Sequence, residues 1–348
     1  MLTSTSIAMD NKGAILSFGE LLLRITPDAD GQWLQNNNLP FFVGGAELNV
    51  ATALALWGLP SKYFTALPDN GLSAQIITYL QQKNIDTTPV LFSGDKIGLY
   101  FLTKGKDLKN DALIYDRAHS AFANLQPGMI DWDNVLEGVS WFNFSAICPA
   151  ISNNVAEVCK EALQEASKRN ITISVDLNYR SKLWKYDKTP QEVMTELLPY
   201  CDIVMGNIWA AETMLGIEVV PDIHESGQQS IYLKEALNTS QKIMALYPKC
   251  KAVANTFRFD AKSDITYYSA LYTGDKLYHS AQYETSHIVD KVGSGDCFMA
   301  GLIYGFYNDW APAETLAFAT ASAFQKLFVE SDATNKTVDQ IKKTIIYE

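Results

Sequence analysis

Short apolar runs alternate with longer Ala- and Leu-rich stretches along most of this chain, and that alternation predicts the elements. Ala14 to Phe18 is a compact apolar run ending at Gly19-Glu20, the pattern of a buried strand and its exit loop. Gly44-Gly45 then opens a helix over Ala46 to Trp57, closed by Gly58. Lys62 to Ala66 reads as a strand and Leu72 to Lys83 as a helix. Further on, strands are predicted at Val139–Phe144, Ile171–Asp176, Ile203–Met205 and Ala252–Asn255. Helices over Val155–Lys168, Val193–Leu198 and Lys234–Tyr247 separate them. Ile265–Leu271 and Tyr278–Tyr283 look sheet-like, and two apolar helices, Cys297–Tyr307 and Ala313–Phe328, close the chain.

Strand and helix in turn predict an α/β fold, a doubly wound, mostly parallel sheet with helices on both faces. Two stretches break the rhythm. Residues 21–43 carry turn signals at Pro27, Asp30-Gly31 and Asn36-Asn37-Asn38, and residues 90–117 are strand-rich and poorly helical. Together they form a small β-sheet lid, inserted in one domain spanning 14–345, because no linker, repeat or low-complexity tract divides the chain. The polar, irregular residues 1–10 read as a disordered tail.

Composition narrows the class. The chain has 348 residues, of which 47% are hydrophobic and 19% charged, a globular balance that excludes disordered and fibrous classes. A net charge of −11 repels nucleic acid and anionic membranes, so an anionic small substrate needs a local basic pocket. Five dispersed cysteines without a CxxC pair favour a reducing compartment over a disulfide framework. Neither a secretory signal nor an apolar run long enough for a membrane span is present. A cytoplasmic protein is expected. The four histidines lack ligand spacing.

Two segments carry chemistry. In Asp290-Lys-Val-Gly-Ser-Gly-Asp296, closely spaced glycines at the mouth of an apolar helix expose backbone N–H groups that point one way. With the helix dipole they make an anion site, suited to a phosphoryl group gaining charge in transit. Asp296, in the first helical turn beside that site, can take a proton from an attacking hydroxyl. The alternative is a glycine-rich loop whose Asp caps a helix. In Val43-Gly-Gly-Ala-Glu-Leu-Asn49, Gly44 and Gly45 allow close ligand approach and Asn49 could reach sugar hydroxyls; close helix packing is the competing explanation.

Taken together, an early Gly-Gly-x-x-x-Asn helix start and a late Gly-Ser-Gly-Asp helix start resemble the ribokinase-like (PfkB) carbohydrate kinases. The resemblance covers nearly the whole chain, about 14–345. It implies that Asp296 is the catalytic base, that the backbone of Gly293, Ser294, Gly295 and Asp296 is the anion hole, and that the cofactors are ATP and Mg2+, with a monovalent cation as a further expectation. Within the family, Gly98-Leu-Tyr100, Tyr115-Asp-Arg117 and Asp176-Leu-Asn178-Tyr-Arg180 are similar to the 2-keto-3-deoxygluconate kinases. A sugar acid carries a carboxylate, and Arg117 and Arg180 can hold it with charge-assisted hydrogen bonds. Tyr100 and Tyr115 each combine a flat apolar face with a hydroxyl. The expected activity is phosphorylation of the terminal hydroxyl of a keto-sugar acid; a neutral-sugar kinase and a silent sugar-binding regulator are the alternatives.

At two places the chain departs from the family. After Asn207 the first acid is Glu212, which is expected to support magnesium indirectly. Before the adenine loop the family's glycines are replaced by Asn255-Thr-Phe-Arg258, whose Arg can reach a phosphate. An exposed lid sheet needs a partner over its apolar face, so a homodimer or dimer-based oligomer through the lids is expected.

Overall fold

The structure, a computed structural model, describes residues 12–27, 33–34, 38–103, 113–261 and 264–347. The expected tail at 1–10 lies outside the described residues. Strand β1 (Ala14–Phe18) is an interior strand of the main sheet. The lid strands β2 (Leu22–Ile25) and β3 (Phe41–Gly44) follow it. The chain then lays down β4 (Ser61–Phe64), a short β5 (Ala66–Leu67) and β6 (Ile85–Asp86). After β7 (Leu91–Phe92) come the remaining lid strands, β8 (Gly98–Phe101) and β9 (Ile114–Asp116). The chain returns beside β1 as β10 (Val139–Ser145) and steps outward through β11 (Thr172–Asp176), β12 (Ile203–Gly206) and β13 (Ala252–Ala261). β14 (Asp264–Thr273), β15 (Lys276–His279) and β16 (Tyr283–Thr285) complete an antiparallel edge.

The main sheet has the order β15-β14-β13-β12-β11-β10-β1-β4-β6, with β16 also on β14. All pairings from β6 to β13 are parallel. Strand alternation sorts the core to the two faces. Ile15, Trp141 and Ile203 pack with the buried helices Ala46–Leu56, Ser294–Tyr307 and Pro312–Lys326. Leu16, Phe142 and Ile173 pack with Asn153–Lys168 and Pro190–Leu197 on the other face. This is the doubly wound, mostly parallel sheet with helices on both faces that the sequence leads one to expect. Because β1 and β10 lead away from each other, their carboxyl ends flank the crevice that such sheets leave open.

β13 extends to Ala261 rather than stopping at Asn255, because Val253, Phe257 and Phe259 alternate with smaller or polar residues and pair along Asp264–Thr273. The Tyr278–Tyr283 stretch divides into β15 and β16, both pairing with β14. Sequence patterning had left the Ile208–Leu215 helix unassigned; it begins with Asn207 as cap.

The second sheet has the order β3-β2-β8-β9. Arg24, Phe42, Tyr100 and Tyr115 stand in register on the cleft side. The next row is Ile25, Phe41, Phe101 and Ile114 on the opposite face. There Phe41 is 56% and Ile114 57% exposed.

Candidate active site

A cleft of about 540 Å³ lies between the carboxyl ends of the parallel strands and the lid. β1 delivers Glu20, β11 delivers Asp176, Asn178 and Arg180, and β12 delivers Asn207 to its wall. The helix Ser294–Tyr307 points its N-terminus at the same space.

Gly293 caps that helix at φ 78°, a left-handed conformation that a side chain resists. A Cβ on Gly293 would also come within 1.8 Å of the Asp332 carbonyl oxygen. Gly295 differs. The nearest atom to a Cβ there is Met205 Cε at 3.9 Å, so the missing side chain leaves open cleft rather than accommodating protein. Helical bonding starts with Cys297 N–H on Gly293 O at 2.9 Å, and the preceding first-turn N–H groups have no helical acceptor. This is a cradle for an anion. Ser294 contributes backbone only, because its hydroxyl donates to Ala323 O at 3.0 Å, away from the cleft.

Asp296 borders the cradle, and its Oδ2 accepts from Asn49 Nδ2 at 2.7 Å. Burial pushes its carboxyl up to about 8; Asp176 and Glu47 push the same way, while Asn49 and Arg180 oppose them. Burial likewise raises Asp176 to about 6, against the Asn178 backbone N–H and Arg180. Two acids with raised proton affinity thus share one pocket, a signature of proton-transfer sites. Asn49 orients the Asp296 carboxylate, and its own Oδ1 is buried with no partner among the described residues.

Several expected ligands are placed differently. Gly45, at φ 134°, lines the cleft, but Gly44 does not: a Cβ on Gly44 would strike the Asp332 carboxylate at 2.1 Å. Gly44 is therefore a packing glycine. Arg117 lines the cleft yet is not a free cation, because Glu20 accepts from its Nε at 2.7 Å and also from its Nη2. Ser120 Oγ donates to the second oxygen of the same carboxylate. The Tyr100 hydroxyl is spent on Asp332. Tyr115 lines the cleft beneath the Arg117 guanidinium, 5.5 Å from its ring centre. Arg180 pairs with no carboxylate among the described residues; its Nη1 donates to Tyr179 O, and its Nε is buried without a partner.

At the far end, Thr256, Arg258 and Lys291 line the cleft, the last held by Asp260 at 3.0 Å. Asn207 lines it too, although its Oδ1 caps the next helix by accepting from Ala210 N–H. Glu212 is exposed outside the cleft, and its Oε1 accepts from Val219 N–H at 3.1 Å. Helix phase turns it outward, so its expected support for magnesium is withdrawn. Cys297 is buried, its thiol pushed up to about 12 by that burial, and it serves packing.

Sequence reasoning missed Arg24, Glu47, Asp290 as a structural acid, Asp332 and Lys326. A charged residue inside the apolar run Leu21-Leu22-Leu23-Arg24-Ile25 was the one readable signal.

A profile of the pfkB family carbohydrate kinases matches residues 12–338. The chain belongs to this family. It is thus a phosphotransferase with a sugar hydroxyl as acceptor, which removes the silent-regulator alternative. A 2-dehydro-3-deoxygalactonokinase of Haloferax volcanii is 26% identical over 95% of this chain and 96% of its own length. The crystal structure of 2-dehydro-3-deoxygluconokinase from Thermotoga maritima superposes with a TM-score of 0.86 at 31% identity, covering 95% of this chain and 98% of that one. Fructokinase with bound ATP from Xylella fastidiosa shares the fold at 18% identity and a TM-score of 0.72, covering 95% and 98%.

Proposed function

We propose that this kinase transfers the γ-phosphoryl group of ATP to the terminal hydroxyl of a keto-sugar acid, 2-keto-3-deoxygluconate foremost. The observation that carries the reading is Arg180. Its half-buried guanidinium lines the same cleft as Asp296 and the glycine cradle, with an unpartnered Nε and, among the described residues, no ion pair to a carboxylate. A neutral sugar offers such a group hydroxyl oxygens but no opposite charge, whereas a sugar acid offers a carboxylate. Two relatives named for deoxy-keto-sugar acids support the same class.

The chain's own residues account for each step. Asn49 holds Asp296 with one carboxylate oxygen engaged and the other available to the sugar hydroxyl. As that hydroxyl attacks, Asp296 takes its proton. The first-turn N–H groups at Ser294, Gly295 and Asp296 receive the charge that gathers on the phosphoryl oxygens. Arg258 and Lys291 extend the positive wall toward the rest of the nucleotide. The open space at Gly295 fits a phosphate group. Magnesium bound with the nucleotide would supply neutralisation of phosphate charge, and among the described residues no cluster of three or more acids would hold it directly.

A neutral-sugar kinase is the second reading, favoured by one observation: the Arg117 charge is already met by Glu20. A coupled ADP-release assay over 2-keto-3-deoxygluconate, its galacto epimer, gluconate and fructose tests the choice. The sugar-acid reading expects the keto-deoxy acids to give the highest kcat/KM. Preference for fructose overturns it.

We further propose a homodimer, with a second copy over the lid. Ile25, Phe41, Phe101 and Ile114 make an apolar row across all four lid strands, and Trp33 packs on Phe101 beside it. ATP supply and five free, buried cysteines fit a cytoplasmic enzyme.

A further inference from the structure

Lys326 has no exposed surface, a rare state for a lysine. It ends the Pro312–Lys326 helix, and its Nζ donates to Val329 O at 3.1 Å, closing the turn that follows. Leu327 O, next in the chain, accepts from Val289 N–H at 2.8 Å and Asp290 N–H at 3.1 Å, the segment leading into the anion cradle. Beyond the turn, the Asp332 carbonyl lies against Gly293 with no room for a side chain between them. The cradle is thus hung on the segment from 326 to 332.

Charge inside this junction closes within the protein. Asp290 and Asp332 are both buried, and Arg24 reaches them from the lid at 2.7 Å and 2.8 Å. The second contact is an ion pair by distance without an aligned hydrogen bond, which leaves Asp332 Oδ1 unpartnered by direction. One guanidinium cannot neutralise two carboxylates. Lys326 is the other buried base of the junction: its Nζ donates to Val329 O and forms no ion pair with either acid, burial pulls its ammonium below the usual range, and the charges of Asp290 and Asp332 hold it up from farther away. Two buried acids and two buried bases share the junction. A cation from solution needs surplus negative charge and oxygens to hold it; here Arg24 lies against both carboxylates, and the Lys326 ammonium already occupies the Val329 carbonyl oxygen.

We propose that Lys326 is a positioning residue for phosphoryl transfer, a resident ammonium that makes a monovalent cation beside the anion cradle unnecessary. The proposal rests on transfer at that cradle and is indifferent to which sugar is the acceptor. The expectation of a monovalent cation is thereby replaced, because the residues present do not fit one.

The test compares wild type, Lys326→Met and Lys326→Arg in buffers whose monovalent cation is tetramethylammonium, then adds KCl or NH4Cl. Wild type should keep both its turnover and its Tm unchanged on addition. Lys326→Met should lose on the order of 10²-fold in kcat through misplacement of the cradle, and K+ or NH4+ should recover part of both kcat and Tm. Lys326→Arg, which keeps the charge, should retain more turnover than Lys326→Met. Activation of the wild type several-fold by K+ overturns the proposal even if the Met variant does not fold. A folded Met variant that keeps full turnover, or loses it with no recovery by small cations, overturns it as well.

Discussion

Asp296 combines two properties that pull in opposite directions, and both are measurable. As a base it must be ionised, yet burial raises its carboxyl to about 8. For the free enzyme, kcat/KM should therefore climb with pH through about 8, as an apparent value shared with nearby Asp176. Folding reads the same shift with the opposite sign. A carboxyl raised from 3.8 to about 8 on folding favours the folded state below 3.8, and that contribution is lost as pH rises toward 8. Asp296→Asn should thus lower kcat by roughly 10²–10⁴-fold and abolish the alkaline climb. On the alkaline side its Tm should equal or exceed that of wild type. A pH–rate profile with calorimetry on both sides of the limb checks this, and near-normal turnover would remove the base from its role. At this scale the sequence showed Asp296 and the glycine-opened helix start beside it, because neighbours in the chain build them. It did not show which arginine is free. Glu20 lies 97 positions from Arg117, and no local pattern announces that pairing. Nor could it show Asp332 beneath Gly44, for the same reason.

Elements were legible in proportion to the length and strength of their patterns. The helices Ala46–Leu56 and Ser294–Tyr307 were read within a few residues, being rich in apolar residues and opened by glycines. Short pieces such as Trp132–Val135 and Ile223–Ser226 were not, since a single turn carries too little periodicity. The Asn255–Asp260 stretch was read as a departure near a loop, but it is the middle of β13. Its partner strand, 252–261 against 264–273, dictates that conformation. The lid was read correctly as a separate sheet from its failure to look helical. Its outer row gives a prediction at this scale. Phe41→Asp with Ile114→Asp should convert a dimer to a monomer in light scattering without changing the main fold. A wild type that is strictly monomeric at micromolar concentration contradicts the lid-to-lid dimer.

Over the whole molecule, a net charge of −11 sets the problem that the cleft must solve. An anionic sugar and a polyanionic nucleotide are repelled at long range, so affinity depends on short-range partners in a partly desolvated space. The fold answers by gathering Arg180, Arg258, Lys291 and a helix N-terminus around one crevice, while other buried bases are matched internally. Arg117 goes to Glu20, Arg24 goes to Asp290 and Asp332, and the Lys326 ammonium is held by Val329 O. Among the described residues Arg180 lines the cleft without an ion pair, and the proposed sugar-acid reading assigns it the substrate carboxylate. The most direct test is kcat/KM for 2-keto-3-deoxygluconate and for fructose in wild type and Arg180→Ala. One lost charge-assisted contact is worth about 1.5–3 kcal/mol, or roughly 10- to 150-fold. The sugar acid should fall by that factor while any fructose turnover stays within about twofold. An equal fall for both substrates, or no fall for the acid, contradicts the assignment of this kinase to a sugar acid.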